Sequence, residues 1–327
     1  MKYELVKKDY KMRLNDIGGV AVDSKDNVYA SIRGPSTPLV VFDKNGDFVK
    51  DIGTGMGIIN PHGICVDPED NIWMVDGARH VVHKFLNDGT HVMTLGNLDK
   101  PSRDSGAINM DFNTVKRAGS PFHNPAKVSA NRQGEIYVAD GYANCCVHHF
   151  SAKGELINSW GAPGGGPGEF RIVHGVGIDL DSGDVYIADR ENFRVQIFDS
   201  RGKLLDIWNE LHRPTDVYIR GDYVYISELG ELLFTEFCCY DPRYRRHHSQ
   251  VRVFDKKGNE LYQIGTEDGG KPGSFLGAHG ICADGIGDIY VCEVNSWDRH
   301  GEYAAWPNGV GRPTSIHPAF QKFKKIR

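Results

Sequence analysis

The sequence predicts an all-β fold: a single six-bladed β-propeller spanning residues 1–327. Three observations predict it. One unit recurs six times, with copies beginning near Gly18, His62, Asn124, His174, Arg213 and His279. A spacing of about 35–50 residues built from strand-like runs is the mark of propeller blades. The two chain ends together supply what the last copy lacks.

The fourth copy is the clearest. HGVGIDLDSGDVYIADRENFRVQIFDSRGKLLDIW (174–208) divides into four runs rich in Val, Ile and aromatics, separated by DSG, REN and DSRG. Such runs bounded by Gly, Asp, Asn and Ser read as antiparallel strands joined by tight turns. A turn ending in glycine recurs between third and fourth strands, in FDKNG (42–46), LNDG (86–89), FSAKG (150–154), FDSRG (198–202) and FDKKG (254–258). The glycine supplies the positive φ that closes such a hairpin. The sixth copy offers HGICADGIGDIYVCEV, an insertion, and HPAFQKFKKIR at the C-terminus. The N-terminal YELVKKD is expected to add its outer strand, closing the ring and removing two free sheet edges. A two-sheet sandwich has no need of six copies of a four-strand unit.

Composition narrows the function classes. The net charge is −5 with both signs interspersed, so neither a nucleic-acid stripe nor a membrane-binding face is expected. No long apolar stretch predicts a transmembrane helix, and MKYELVKKDYKMRL lacks the apolar core of a signal peptide. Seven cysteines, two adjacent pairs among them, fit reduced thiols in a cytoplasmic protein. Cys65, Cys282 and Cys292 fall inside strands and read as small buried apolar residues.

Three His-Gly dipeptides stand at the start of copies two, four and six: His62-Gly63, His174-Gly175 and His279-Gly280. In a closed ring these histidines lie about a third of a turn apart and converge on the axis. Three neutral imidazoles with a fourth position open form the ligand set of a catalytic zinc. Imidazole alone does not separate zinc from iron or copper. Gly18, Asn124 and Arg213 are read as the same position in the other copies, so the repeat itself does not demand histidine. His83, His148 and His149 fall in outer strands and read as surface residues.

Antiparallel connectivity puts the ends of the second strands on the same face as these histidines. Those ends read Ile32-Arg33, Asp76-Gly77, Asp140-Gly141, Asp189-Arg190, Glu228-Leu229 and Glu293-Val294. Arg33 and Arg190 share a column on opposite blades, and Tyr142 follows one place later in copy three. Arginine beside a metal binds a carboxylate through a fork of hydrogen bonds. A tyrosine there is placed to act as a base. The acidic column is expected to hold loops and arginines, with one member backing a histidine. Insertions at 97–120, 162–172, 229–249 and 295–313 emerge on this face. They carry Tyr240, Tyr244, Arg245, Arg246, His247, His248, Trp297, Trp306 and the glycine-rich run 161–168, and are expected to overhang the central funnel.

The run DRENFRVQIFD (189–199) resembles an NHL repeat, and 135–202 is similar to the middle blades of peptidyl-α-hydroxyglycine α-amidating lyase (peptidylamidoglycolate lyase). The resemblance covers most of the chain in layout and is strongest over about 120–202. It implies a six-bladed propeller holding zinc by His62, His174 and His279, with Tyr142 as catalytic base and Arg190 and Arg33 beside it. It also implies a structural calcium held by an aspartate after the last histidine. Gly280 stands there, which argues against calcium. Asn144-Cys145-Cys146 replaces the family's usual Asn-Ser/Thr-Arg.

The expected function is a zinc-dependent lyase. It would cleave the C–N bond of a small N-acyl α-hydroxyglycine-like hemiaminal whose carboxylate the arginines bind. Two other classes stay open: a metal-dependent propeller hydrolase or hydratase of lactonase type, and a non-enzymatic NHL-repeat binding scaffold.

Overall fold

The computed structural model describes residues 1–6, 16–33, 37–230, 248–266, 271–294 and 319–326. Among the described residues, six four-stranded antiparallel sheets make up the fold, with one short parallel pair, Ala162–Pro163 against Glu169–Phe170, beside them. Blade one comprises Ile17–Val22, Val28–Ile32, Leu39–Phe42 and Phe48–Ile52; blade two, Pro61–Val66, Ile72–Asp76, Val81–Phe85 and His91–Gly96. Blade three comprises Pro125–Ala130, Ile136–Asp140, Cys146–Phe150 and Leu156–Trp160; blade four, Val173–Ile178, Val185–Asp189, Arg194–Phe198 and Leu204–Trp208. Blade five comprises Pro214–Arg220, Tyr223–Glu228, Gln250–Asp255 and Glu260–Ile264. Blade six takes Ala278–Ala283, Ile289–Glu293 and Phe320–Ile326, then Lys2–Val6 as its outermost strand. The ends of the chain thus close the ring as the sequence predicts, with Lys2 opposite Ile326 and Val6 opposite Lys322.

The first strands touch in ring order, one to two and onward, and blade six returns to blade one. Six apolar clusters fill the six gaps between blades. A blade therefore buries both faces, which explains why first, second and third strands read as nearly continuous Val, Ile and aromatic runs. The fourth strands are the ones that lie largely open to solvent. The turn before the fourth strand in blades one to five is the one expected: Gly46 and Gly89, for example, have φ of 77° and 99°, and each donates its N–H to the carbonyl three residues earlier.

Two expectations need correction. His83, His148 and His149 are buried. They lie in third strands, and the flanking blade covers that part of the sheet. The His149 ring stacks on Tyr137 with centroids 4.2 Å apart, and the His148 ring meets Phe122 edge-on at 5.4 Å. Of the three strand cysteines, Cys282 and Cys292 are buried as expected. Cys65 is only partly so, at the edge of the core between blades two and three.

Candidate functional site

Every first strand carries a β-bulge at its second residue. The register against the second strand slips between Ile17 and Gly19, Pro61 and Ile64, Pro125 and Lys127, Val173 and Gly175, Pro214 and Asp216, and Ala278 and Gly280. A bulge bends the strand and re-aims the extra residue. The bulged residues are Gly18, His62, Ala126, His174, Thr215 and His279. This corrects the sequence alignment at two places: Ala126 and Thr215, not Asn124 and Arg213, are equivalent to the histidines. Asn124 and Arg213 instead take positive φ, 65° and 58°, just before their strands.

The three histidines converge. One ligand atom from each lies within 4.8 Å of the others, and the ring centroids are 4.7–5.2 Å apart. All three are buried. Each Nδ1 meets a main-chain carbonyl of the next blade: His62 with Ala126 at 2.6 Å, His174 with Thr215 at 2.6 Å, His279 with Gly18 at 2.9 Å. A carbonyl only accepts, so each Nδ1 carries its hydrogen and donates. Burial first, and the nearby positive arginines and imidazoles after it, hold all three pKa values well below the usual histidine range. The rings are therefore neutral, and three bare Nε2 lone pairs share one small volume.

The carbonyl acceptors also explain the glycine after His62 and after His174. A Cβ on Gly63 would lie 2.5 Å from the Ala126 oxygen, and one on Gly175 would lie 2.7 Å from the Thr215 oxygen. On Gly280 it would meet Cys292 Sγ at 2.8 Å and Gly19 Cα at 3.1 Å. The first strands approach too closely for a side chain there.

Tyr142 lies against the triad. Its hydroxyl is 3.1 Å from His62 Nε2 and 2.9 Å from His174 Nε2. One phenolic hydrogen can serve only one of these two acceptors. The Arg190 guanidinium lies 5.5 Å over the Tyr142 ring, and its Nη1 is 3.5 Å from the hydroxyl. Arg190 is buried and donates from Nε to Glu191 at 2.8 Å. Burial opposes its charge, but Glu191 and Tyr142 outweigh that and hold its pKa above the usual value. Glu191 also accepts from the fully buried Arg213, at 2.7 Å. On the opposite blade Arg33 is more open, 3.7 Å from Asp16. Its charge depresses the pKa of all three histidines.

The acidic column supports loops, as expected. Asp76 accepts from the N–H groups of Ile59 and Asn60, Asp140 from His123, Asp189 from Arg171 and Arg194, Glu228 from Arg252, and Glu293 from Leu276. The further expectation, a carboxylate behind one ligand histidine, is replaced by the three carbonyls. Asn144 braces the 97–120 insertion by accepting from the Gly119 N–H at 2.9 Å, while Ser105 of that insertion donates to the Ala143 carbonyl at 2.8 Å. Thus the insertion docks beside Tyr142. The glycine-rich run is tied to blade four: Asn192 and Arg194 donate to the carbonyls of Gly164, Gly165 and Gly166. Tyr240, Tyr244, Arg245, Arg246, His247, Trp297 and Trp306 lie outside the described residues.

Sequence reasoning did not find Glu191, Arg213 or the carbonyl acceptors. Glu191 had one available signal, an acidic residue directly following a functional arginine. Main-chain acceptors have none.

Known proteins resemble the chain in both sequence and shape. The NHL repeat profile matches residues 122–150 and 170–198, which hold the first three strands of blades three and four. Peptidyl-alpha-hydroxyglycine alpha-amidating lyase 1 of Drosophila melanogaster is 29% identical over 88% of this chain and 53% of its own length. Human NHL repeat-containing protein 3 is 30% identical over 64% of this chain and 61% of its own length. The match thus spans little more than half of these relatives. A gluconolactonase from Xanthomonas campestris superposes with a TM-score of 0.59 at 13% identity, covering 95% of this chain and 86% of that one, a likeness of fold alone. No helix among the described residues is long and apolar enough to cross a membrane. The chain is a six-bladed β-propeller with NHL repeats, homologous at 29% identity over most of its length to peptidyl-α-hydroxyglycine α-amidating lyase.

Proposed function

We propose that this protein is a zinc-dependent lyase acting on a small N-acyl α-hydroxyglycine-like hemiaminal. The observation that carries the reading is the Tyr142 hydroxyl lying between Nε2 of His62 and His174 beneath the Arg190 guanidinium. The donor set fits a divalent cation: three neutral imidazoles, their tautomers set by carbonyls, present bare Nε2 atoms that one phenolic hydrogen cannot satisfy. A zinc ion held by His62, His174 and His279 would supply Lewis acidity at its open position.

The chain's own residues supply the rest. Tyr142, as phenolate, takes the proton of the substrate hydroxyl. The O–H electron pair forms the C=O bond, the C–N bond breaks, and its electrons go to nitrogen, to which Tyr142 returns the proton it took. The products are an amide and an aldehyde; no water is consumed and nothing is oxidised. Arg33 binds the substrate carboxylate, and Arg190 opposes the negative charge that passes through Tyr142. Glu191 and Arg213 hold Arg190 in place. A cytoplasmic location belongs to the same proposal, supported by the five free thiols among the described cysteines, of which burial pushes Cys145 up to about 12.

The test is Tyr142→Phe. Turnover of an N-acyl α-hydroxyglycine should fall by roughly 100-fold or more, the usual worth of a general base, with zinc content unchanged. Normal turnover would remove Tyr142 from the chemistry. In isotopically labelled water the amide product should carry no solvent oxygen; label in an acid product would indicate a hydrolase instead. A chain that holds no zinc would favour a binding scaffold.

A further inference from the structure

One residue deeper along the first strands than the bulge lies a second layer around the axis: Gly19, Gly63, Lys127, Gly175, Asp216 and Gly280. Four of the six have no side chain. The other two carry opposite charges, and Lys127 Nζ donates to Asp216 Oδ2 at 2.6 Å with both residues buried. These two belong to blades three and five, which are not neighbours in the ring. The Lys127 stem lies against Gly63, where a Cβ would meet its Cδ at 2.6 Å. Asp216 Cα lies against Gly175, where a Cβ would meet it at 2.9 Å. Asp216 Oδ2 also accepts from the Ile281 N–H at 3.3 Å. The ion pair therefore touches blades two, four and six, each just past its histidine. Lys127 and Asp216 directly follow Ala126 and Thr215, whose carbonyls orient His62 and His174.

We propose that Lys127 and Asp216 form an internal strut that sets the spacing of the three histidines, with the ammonium standing where a second cation would otherwise neutralise Asp216. They are positioning residues. The inference rests on the triad being a metal site, and it makes the protein a one-metal chain. A structural calcium does not fit this layer. Gly280 offers no ligand side chain, and a fixed positive charge is already present.

The experiment compares the zinc-loaded full chain with Lys127→Met and with Lys127→Met/Asp216→Leu. Melting is followed with and without calcium chloride, and zinc affinity by chelator competition. The wild type should carry no calcium, and neither calcium nor a calcium chelator should move its melting. Lys127→Met leaves a buried carboxylate alone and should melt roughly 5–10 °C lower. Calcium should restore most of that loss. Both variants should hold zinc roughly tenfold more weakly, the scale of a lost supporting contact. The double variant should not respond to calcium. Calcium bound by or stabilising the wild type would overturn the proposal, as would a folded Lys127→Met indifferent to calcium. If Lys127→Met does not fold, the double variant decides: unimpaired zinc affinity there would refute the strut. Failure of the zinc reading looks different, since no variant and no wild type would then hold zinc while the calcium response of the melts could still be read.

Discussion

The His-Gly dipeptides permit a graded test of how the triad is built. Gly63→Ala would place a methyl 2.5 Å from the Ala126 oxygen and 2.8 Å from Lys127 Cα, both main-chain atoms of the next blade. Ordinary carbon–oxygen contact is several tenths of an ångström longer, so blade three must move. Forcing an extra carbon into a packed interior costs about 1–3 kcal/mol, and rigid main-chain neighbours put Gly63→Ala at the upper end. The displaced atom is the acceptor of His62 Nδ1, so zinc affinity should fall about 10–100-fold as well. Gly175→Ala meets the Thr215 oxygen at 2.7 Å and Asp216 Cα at 2.9 Å, and should be nearly as harmful. Gly280→Ala should be mildest, because its closest contact is the Cys292 side chain. Gly165→Ala is the control, with nothing nearer than Asn192 Oδ1 at 3.6 Å, and should be neutral. Urea unfolding of metal-free protein gives the stability ranking, and chelator competition gives the affinity ranking. If Gly63→Ala matched the wild type in both, or Gly280→Ala proved worst, the account of close strand approach at the axis would be wrong.

Other outcomes follow from the buried charges. Glu191→Gln leaves Arg190 and Arg213 sharing no carboxylate. Breaking a buried pair from one side costs about 3–5 kcal/mol, so melting should fall clearly and turnover should drop with zinc content kept; unchanged turnover would separate Arg190 from the chemistry. Burial, reinforced by His91, pushes the pKa of His83 down to about 4 from the usual histidine value of 6.5. Its neutral ring thus contributes fully above pH 6.5, and the contribution is lost as pH falls toward 4. From that shift the loss at pH 5 is about 2 kcal/mol. His83→Gln should remove that part of the acid sensitivity in urea unfolding at pH 7 against pH 5; an identical pH dependence would contradict it.

How far the sequence reaches depends on which atoms carry the information. The ring, its closure by the two chain ends and the second-strand columns are written in side chains: nearly continuous apolar runs, turn glycines and repeated Asp or Glu at strand ends. Arg33, Tyr142 and Arg190 could be placed on one face by counting along antiparallel strands. The bulge could not be seen that way, because one extra residue in a strand leaves no mark on composition. This is why Asn124 and Arg213 were aligned two places too early. The burial of His83, His148 and His149 was missed for a related reason. A third strand looks peripheral along the chain, yet the neighbouring blade covers it.

The same limit explains the triad's support. Six nearly equivalent bulges surround the axis, but they alternate in use. Blades two, four and six contribute a side chain and then a glycine; blades one, three and five contribute a carbonyl, from Gly18, Ala126 and Thr215. The alternation is mutually required. A ring nitrogen needs an acceptor at 2.6–2.9 Å, that distance demands close strands, and close strands exclude a Cβ after His62 and His174 and crowd the one after His279. The space left by those glycines is then taken from blades three and five by Lys127 and Asp216. A His-Gly pair on alternate copies of a propeller repeat is therefore the visible half of a six-strand arrangement. Its other half is main chain, and substituting the histidines alone into another propeller would leave them without the carbonyls that fix their tautomers.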